Sequence, residues 1–191
     1  MSLPNPVSIR NPKNDDIVTF LETSVTTQGQ RTLMEVTLGP AGGNALHYHT
    51  QFSERFEAVE GELTLRTREG RLNLAPGESF TAEPFVEHCF LNLSQEPIRF
   101  LTEIQPANEK FELFLQVAYG LINDTWTLPG GFPINPFSLG ALYDLGDTHY
   151  RGILDWLRPV AGWFAQQAQR NGTYDRLVTS YRQTPQLPPS N

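Results

Sequence analysis

The chain is poor in the features that mark several large classes of protein. It has one cysteine, Cys89, in 191 residues. No disulfide can form within it, which fits a reducing compartment. Basic residues are sparse and scattered. Lys and Arg number 14 against 21 Asp and Glu, for a formal net charge of −7. A nucleic-acid partner would need a basic patch or stripe, so none is expected. Residues 111–180 show no basic recognition helix either. Long hydrophobic runs are also missing. The longest apolar stretch, Gly152 to Ala165, is broken by Asp155, Arg158 and Pro159, whereas a membrane span needs roughly 20 apolar residues. Residues 1–16 have no apolar core flanked by basic residues and do not read as a secretory signal. No membrane partner is expected, and the chain reads as cytoplasmic.

What is present changes character near Pro106. Before it lie short alternating segments punctuated by Gly and Pro. Arg31–Leu38 and Glu54–Glu60 alternate with period two, so that Glu54, Phe56 and Ala58 share one face. Strands are also predicted over Glu62–Arg68, Arg71–Leu74, Glu87–Leu93 and Ile98–Gln105. Glu69-Gly70 and Ala75-Pro76-Gly77-Glu78 supply turns between them. Many short strands at near-regular spacing point to a sandwich or barrel. After Pro106 the period becomes helical. Phe111, Phe114, Leu115 and Ala118 fall at i, i+3, i+4, i+7. A short helix is predicted over Pro136–Leu145. A longer one is predicted over Tyr150–Gln169, with Ile153, Leu154, Leu157, Val160, Ala161, Phe164 and Ala168 on one face and a kink at Pro159. Asn171-Gly172 reads as its stop, and Asn123–Pro136 as a loop.

The expected organisation is an N-terminal arm over 1–16 and a β-barrel over 17–105. A helical extension over 106–183 would pack on the barrel or at a dimer interface, and a flexible proline-rich tail would occupy 184–191.

Three of the four histidines, His47, His49 and His88, fall in or beside strands of the first region. On a strand, His47 and His49 project from the same face, where two imidazoles can chelate one cation. Glu54 follows after a tight turn and can face the same interior. His88, Phe90 and Asn92 share a face by alternation, which makes His88 a candidate third imidazole. His149 reads as a surface or capping residue, and Cys89 as a packed apolar residue rather than a nucleophile.

These residues resemble the two motifs of the cupin family. The first runs Gly, five residues, His-x-His, three or four residues, Glu, six residues, Gly. His47-Tyr48-His49, Glu54 and Gly61 fit it in order. The second runs Gly, five residues, Pro-x-Gly, two residues, His, three residues, Asn. Gly77, Pro84, His88 and Asn92 fit it with adjustments. There are two departures. The leading Gly of the first motif is replaced by Ala41. In the second, Pro84 comes one residue late and Val86 stands near the place of a Gly, so a reshaped turn before His88 is expected.

The resemblance implies a mainly β fold, a cupin-type jelly-roll β-barrel with a C-terminal α-helical extension. It implies that His47, His49, Glu54 and His88 ligate one divalent transition metal: Fe, Mn, Ni, Cu, Co or Zn. Phe56, Phe90 and Asn92 are the candidate substrate contacts. A small-molecule ligand or substrate and a homodimer are expected. Two functions stay open: a metal-dependent enzyme, of the dioxygenase kind or an isomerase or decarboxylase, and a small-molecule-binding or sensor protein without turnover.

Overall fold

The computed structural model describes residues 6–13, 15–125, 127–128, 132–152 and 157–183. Among them, nine strands come first: β1 (Val7–Asn11), β2 (Asp16–Glu22), β3 (Thr32–Leu38), β4 (Ser53–Glu60), β5 (Leu63–Thr67), β6 (Arg71–Leu74), β7 (Ser79–Ala82), β8 (His88–Leu91) and β9 (Ile98–Gln105). Four helices follow: α1 (Glu109–Asp124), α2 (Pro136–Gly146), α3 (Arg158–Arg170) and α4 (Thr173–Tyr181). The chain divides into two compact units, one containing all the strands up to Glu109 and the other running Lys110–Gln183.

The strand unit is a jelly-roll of two antiparallel sheets. One has the order β1-β2-β3-β9-β4-β7 and the other β6-β5-β8. Alternation decides what each strand buries. Thr32, Met34, Val36 and Leu38 of β3 face the core, and so do Glu54, Phe56 and Ala58 of β4. Phe20, Phe52, Phe100, Leu63, Leu65 and Ile104 complete an interior in which each is fully buried. Gly61 closes β4 with φ 75, and a Cβ there would lie 2.6 Å from Cγ2 of Ile98. The motif glycine is therefore required twice, by its left-handed backbone and by the neighbouring chain.

Three strands lie outside the predicted series. The segment expected as an arm contains β1, which pairs with β2 from Val7↔Phe20 to Asn11↔Asp16. The four-residue β7 pairs with β4 at Glu54↔Ala82 and Phe56↔Phe80. The third is the seven-residue β2, outside the predicted series although its burial alternates; β1 and β7 are edge strands.

The helical unit has its own core. Leu113, Val117 and Leu121 of α1 pack with Leu142 and Leu145 of α2, and Tyr174, Leu177, Val178 and Tyr181 of α4 close around them. The most buried stripe of α1 is thus 113–117–121; Phe114, Leu115 and Ala118 are only partly buried. At Gly140 the backbones of α2 and α3 meet, since a Cβ there would lie 2.5 Å from the Phe164 carbonyl carbon.

The long helix expected over Tyr150–Gln169 begins only at Arg158, and Pro159 sits in its first turn instead of kinking it. That is where proline is tolerated, because its missing N–H has no partner to lose. Leu157 and Val160 are exposed, and α3 buries Ala165 and Ala168. Ile153, Leu154 and Trp156, like the tail 184–191, lie outside the described residues. Asn171-Gly172 does end α3, with Gly172 at φ 72. His149 is not a surface residue: its side chain is 13% exposed, with Nε2 2.9 Å from Oδ1 of Asp147, the C-cap of α2. Among the described residues no helix is long and apolar enough to cross a membrane.

Candidate metal centre

Glu54 is the second residue of β4 and His88 the first of β8, so each enters the interior from a strand end. His47 and His49 lie on an extended segment outside the named strands. His47 pairs with His88 through both backbone bonds: its N–H donates to the His88 carbonyl at 3.0 Å, and the His88 N–H donates back at 2.8 Å. His88 also pairs with Thr67 of β5. The segment carrying His47 and His49 therefore extends the smaller sheet beside β8, and period two places both imidazoles on the inner face.

The four side chains converge. One ligand atom from each of His47, His49, Glu54 and His88 lies within 4.8 Å of all the others. Nε2 of His47 is 3.1 Å from Nε2 of His49. Oε2 of Glu54 is 3.0 Å from Nε2 of His88 and 3.3 Å from Nε2 of His49. All four residues are buried, at 6, 2, 5 and 1% exposure for His47, His49, Glu54 and His88. The ring of Phe52 stacks on His49 at 4.4 Å, and Phe56 packs 5.6 Å from the ring of His88.

Two of the imidazoles are oriented by the main chain. Nδ1–H of His47 donates to the Ala45 carbonyl at 2.8 Å, and Nδ1–H of His88 donates to the Val86 carbonyl at 2.9 Å. Each acceptor lies two residues before its histidine. A carbonyl can only accept, so it keeps a proton on Nδ1 and turns Nε2 inward. The spacing of the histidines gives no sign of these carbonyls.

Electrostatics agree with this geometry. Burial, reinforced by His49 and His88, pushes the His47 imidazole down to about 3. Burial works against ionisation of Glu54, but hydrogen bonds from His49 and His88 outweigh it and hold its carboxyl well below the usual carboxylate range. For His88 burial works downward, and the bond to Glu54 overcomes it, so its imidazole is raised. A buried carboxylate facing three Nε2 atoms is a donor set that fits a divalent transition metal, since imidazole suits those ions and a single carboxylate leaves too few oxygens for Mg or Ca.

A pH dependence follows. In the unfolded chain His47 takes up a proton near 6.5, but in the folded chain it resists until about 3. The folded state therefore binds fewer protons between those values and loses stability as pH falls through that window. Glu54 contributes stability that is complete above its unfolded value of 4.5 and is lost progressively as pH falls from there toward its lower folded value. The raised His88 acts in the opposite sense: its contribution is complete below 6.5 and fades as pH rises. Urea unfolding of metal-free protein is expected to show a loss of about 2 kcal/mol between pH 6.5 and 4.5, at 1.36 kcal/mol per unit of differential protonation. His47→Gln should flatten that slope.

The candidate substrate contacts fall in different places. Phe90 is partly buried, 6.0 Å from Phe56 and 5.1 Å from Phe100. Phe56 is fully buried between His88, Phe90 and Phe100, so its ring supports His88 and presents no surface. Asn92 lies beyond the end of β8, where alternation no longer applies. Its Nδ2 donates to the carbonyls of Leu38, Gly39 and Glu96, and its Oδ1 accepts from the N–H and hydroxyl of Ser94. With its side chain so engaged, Asn92 is a bracket for the 38–42 loop. Asn92→Ala is expected to cost about 1–3 kcal/mol in chemical denaturation, because it strands buried carbonyls.

Both departures from the motif glycines fall on residues with a left-handed backbone. Ala41, at the place of the first glycine, has φ 58. With two residues between it and His88, the second motif's glycine falls at Phe85, which has φ 69. The turn before His88 thus has a left-handed position, favoured by glycine, that the side chain of Phe85 occupies.

These features define a barrel protein with a buried three-histidine, one-glutamate cluster. Residues 34–103, within the strand unit, match the family model of the cupin domain. Among solved structures it is similar to a sugar phosphate isomerase of the cupin superfamily from Silicibacter pomeroyi (25% identity, 46% of this chain and 59% of that chain covered, TM-score 0.40). It is also similar to a protein from Thermotoga maritima described as a predicted oxalate decarboxylase (17% identity, 56% and 99% covered, TM-score 0.49). A third is an RmlC-like cupin from Shewanella frigidimarina (19% identity, 54% and 86% covered, TM-score 0.46). No curated protein matches the sequence.

Proposed function

We propose that His47, His49, Glu54 and His88 hold one divalent transition metal and that the chain acts there on a small organic molecule, as an oxidoreductase of the dioxygenase kind. The convergence of four buried donor atoms within 4.8 Å carries this reading. A bound metal of this class would supply Lewis acidity and coordination positions beyond the four protein ligands. The chain's own residues supply the rest. The Glu54 carboxylate offsets cationic charge in a buried setting. Phe52 and Phe56 exclude water behind His49 and His88, and Phe90, with its partly exposed ring, is the aromatic contact for an apolar substrate.

The close burial of all four ligands favours a small substrate, and it equally supports a second reading, retention of a small ligand without turnover. Elemental analysis of protein purified without chelators, followed by oxygen uptake on the iron and copper forms with a panel of small aromatic and enolic compounds, tests the proposal. Metal at one per chain with substrate-dependent uptake supports it. A compound recovered unaltered favours the second reading, and absence of metal after every reconstitution removes the metal-dependent enzyme. A homodimer belongs to the same proposal, and a monomer mass by light scattering at micromolar concentration would remove it.

A further inference from the structure

Glu83-Pro84-Phe85-Val86 forms a tight turn, closed by the Val86 N–H donating to the Glu83 carbonyl at 3.0 Å. Proline at the second position and a positive φ at the third are the signature of a type II turn, whose third position favours glycine or asparagine. Here that position is Phe85, at φ 69. A bulky side chain with this backbone is an outlier, and such outliers persist where the surroundings over-determine them.

The surroundings are the metal cluster's own segments. The Phe85 N–H donates to the His49 carbonyl at 2.7 Å. The next residue, Val86, offers the carbonyl that fixes Nδ1 of His88. The Phe85 ring is 60% exposed, but its covered side lies against Tyr48, at 6.2 Å between centroids and 34° between planes. Tyr48 stands between His47 and His49. One residue thus touches the His47–His49 segment by backbone and by ring, and sets the direction of the carbonyl that orients His88.

We propose that Phe85 is a positioning residue of the metal centre: its left-handed backbone aims the Val86 carbonyl at His88, and its ring holds the turn against Tyr48. This rests on the reading of the four residues as metal ligands, and it predicts an order among variants. Phe85→Tyr keeps both ring and backbone and should match the wild type. Phe85→Gly keeps the backbone and loses the ring, for a smaller loss. Phe85→Val disfavours the backbone and loses the ring, and should weaken Co(II) binding by about 10–100-fold, as loss of an outer-shell partner does.

The measurements are Co(II) titration by visible absorption and, on the metal-free protein, nitrogen NMR of the His88 imidazole. Wild type and Phe85→Tyr should show a protonated Nδ1 hydrogen-bonded to the Val86 carbonyl, and Phe85→Val should show that bond weakened or lost. Co(II) affinity of Phe85→Val within about twofold of wild type, with an unchanged His88 signal, overturns the proposal, since it falls well short of the outer-shell effect. If Phe85→Val does not fold, Phe85→Ala, which meets a milder left-handed penalty, takes the same comparison. Failure of the wild type to bind Co(II) would defeat the metal reading itself, while the His88 Nδ1–H signal would still decide the role of Phe85.

Discussion

His88→Ala is expected to lower Co(II) or Fe(II) affinity by more than about 100-fold, beyond the range typical of an outer-shell partner. Three causes add. One imidazole donor is lost outright. Glu54 loses its bond to Nε2 of His88 at 3.0 Å, so the carboxylate is freer to leave the cluster. The Val86 carbonyl loses the donor that gave it a purpose. The same loss should appear thermally. A metal present at 100 times its Kd stabilises the wild type by about 2.7 kcal/mol, and that increment should vanish in His88→Ala while the metal-free melting temperature changes less. Calorimetric titration and thermal melts with and without metal check both. A variant that retains wild-type affinity would show that His88 is not a ligand.

Phe56→Ala should be the most damaging single change to the fold, at about 3–5 kcal/mol for a fully buried aromatic ring. The ring has no exposed surface and packs against Phe90 at 6.0 Å, Phe100 at 6.3 Å and His88 at 5.6 Å. Its removal opens a cavity beside a metal-ligand candidate. Metal affinity should therefore fall along with stability. Phe56→Leu, which refills most of the volume, should restore much of both. Urea denaturation beside Co(II) titration separates this from a substrate contact, which would spare the stability of the unliganded protein.

Much of the barrel was legible because its strands are half-buried, so period two appears directly in Met34, Val36 and Leu38 or in Glu54, Phe56 and Ala58. The same period located the three histidines and Glu54 on inward faces. It failed where the physics behind it stops. Asn92 shares the parity of His88, but β8 ends at Leu91 and the chain there turns into a loop held by side-chain hydrogen bonds. The edge strands β1 and β7 are too short to show alternation. Pro159 opens a helix instead of bending one, because proline is read alike in both places until the helix start is known. The carbonyls of Ala45 and Val86 had no signature at all, since every residue owns one.

The groups that orient His47 and His88 belong to the main chain, so no substitution at 45 or 86 deletes them; only a change in backbone angles can. Side chains at these two positions are therefore free to drift while the metal centre stays intact, and a comparison of related sequences would pass over both without noticing. The vulnerable positions are the neighbours that hold the backbone angles, and a harmful variant near this centre should be sought among residues that never touch a metal.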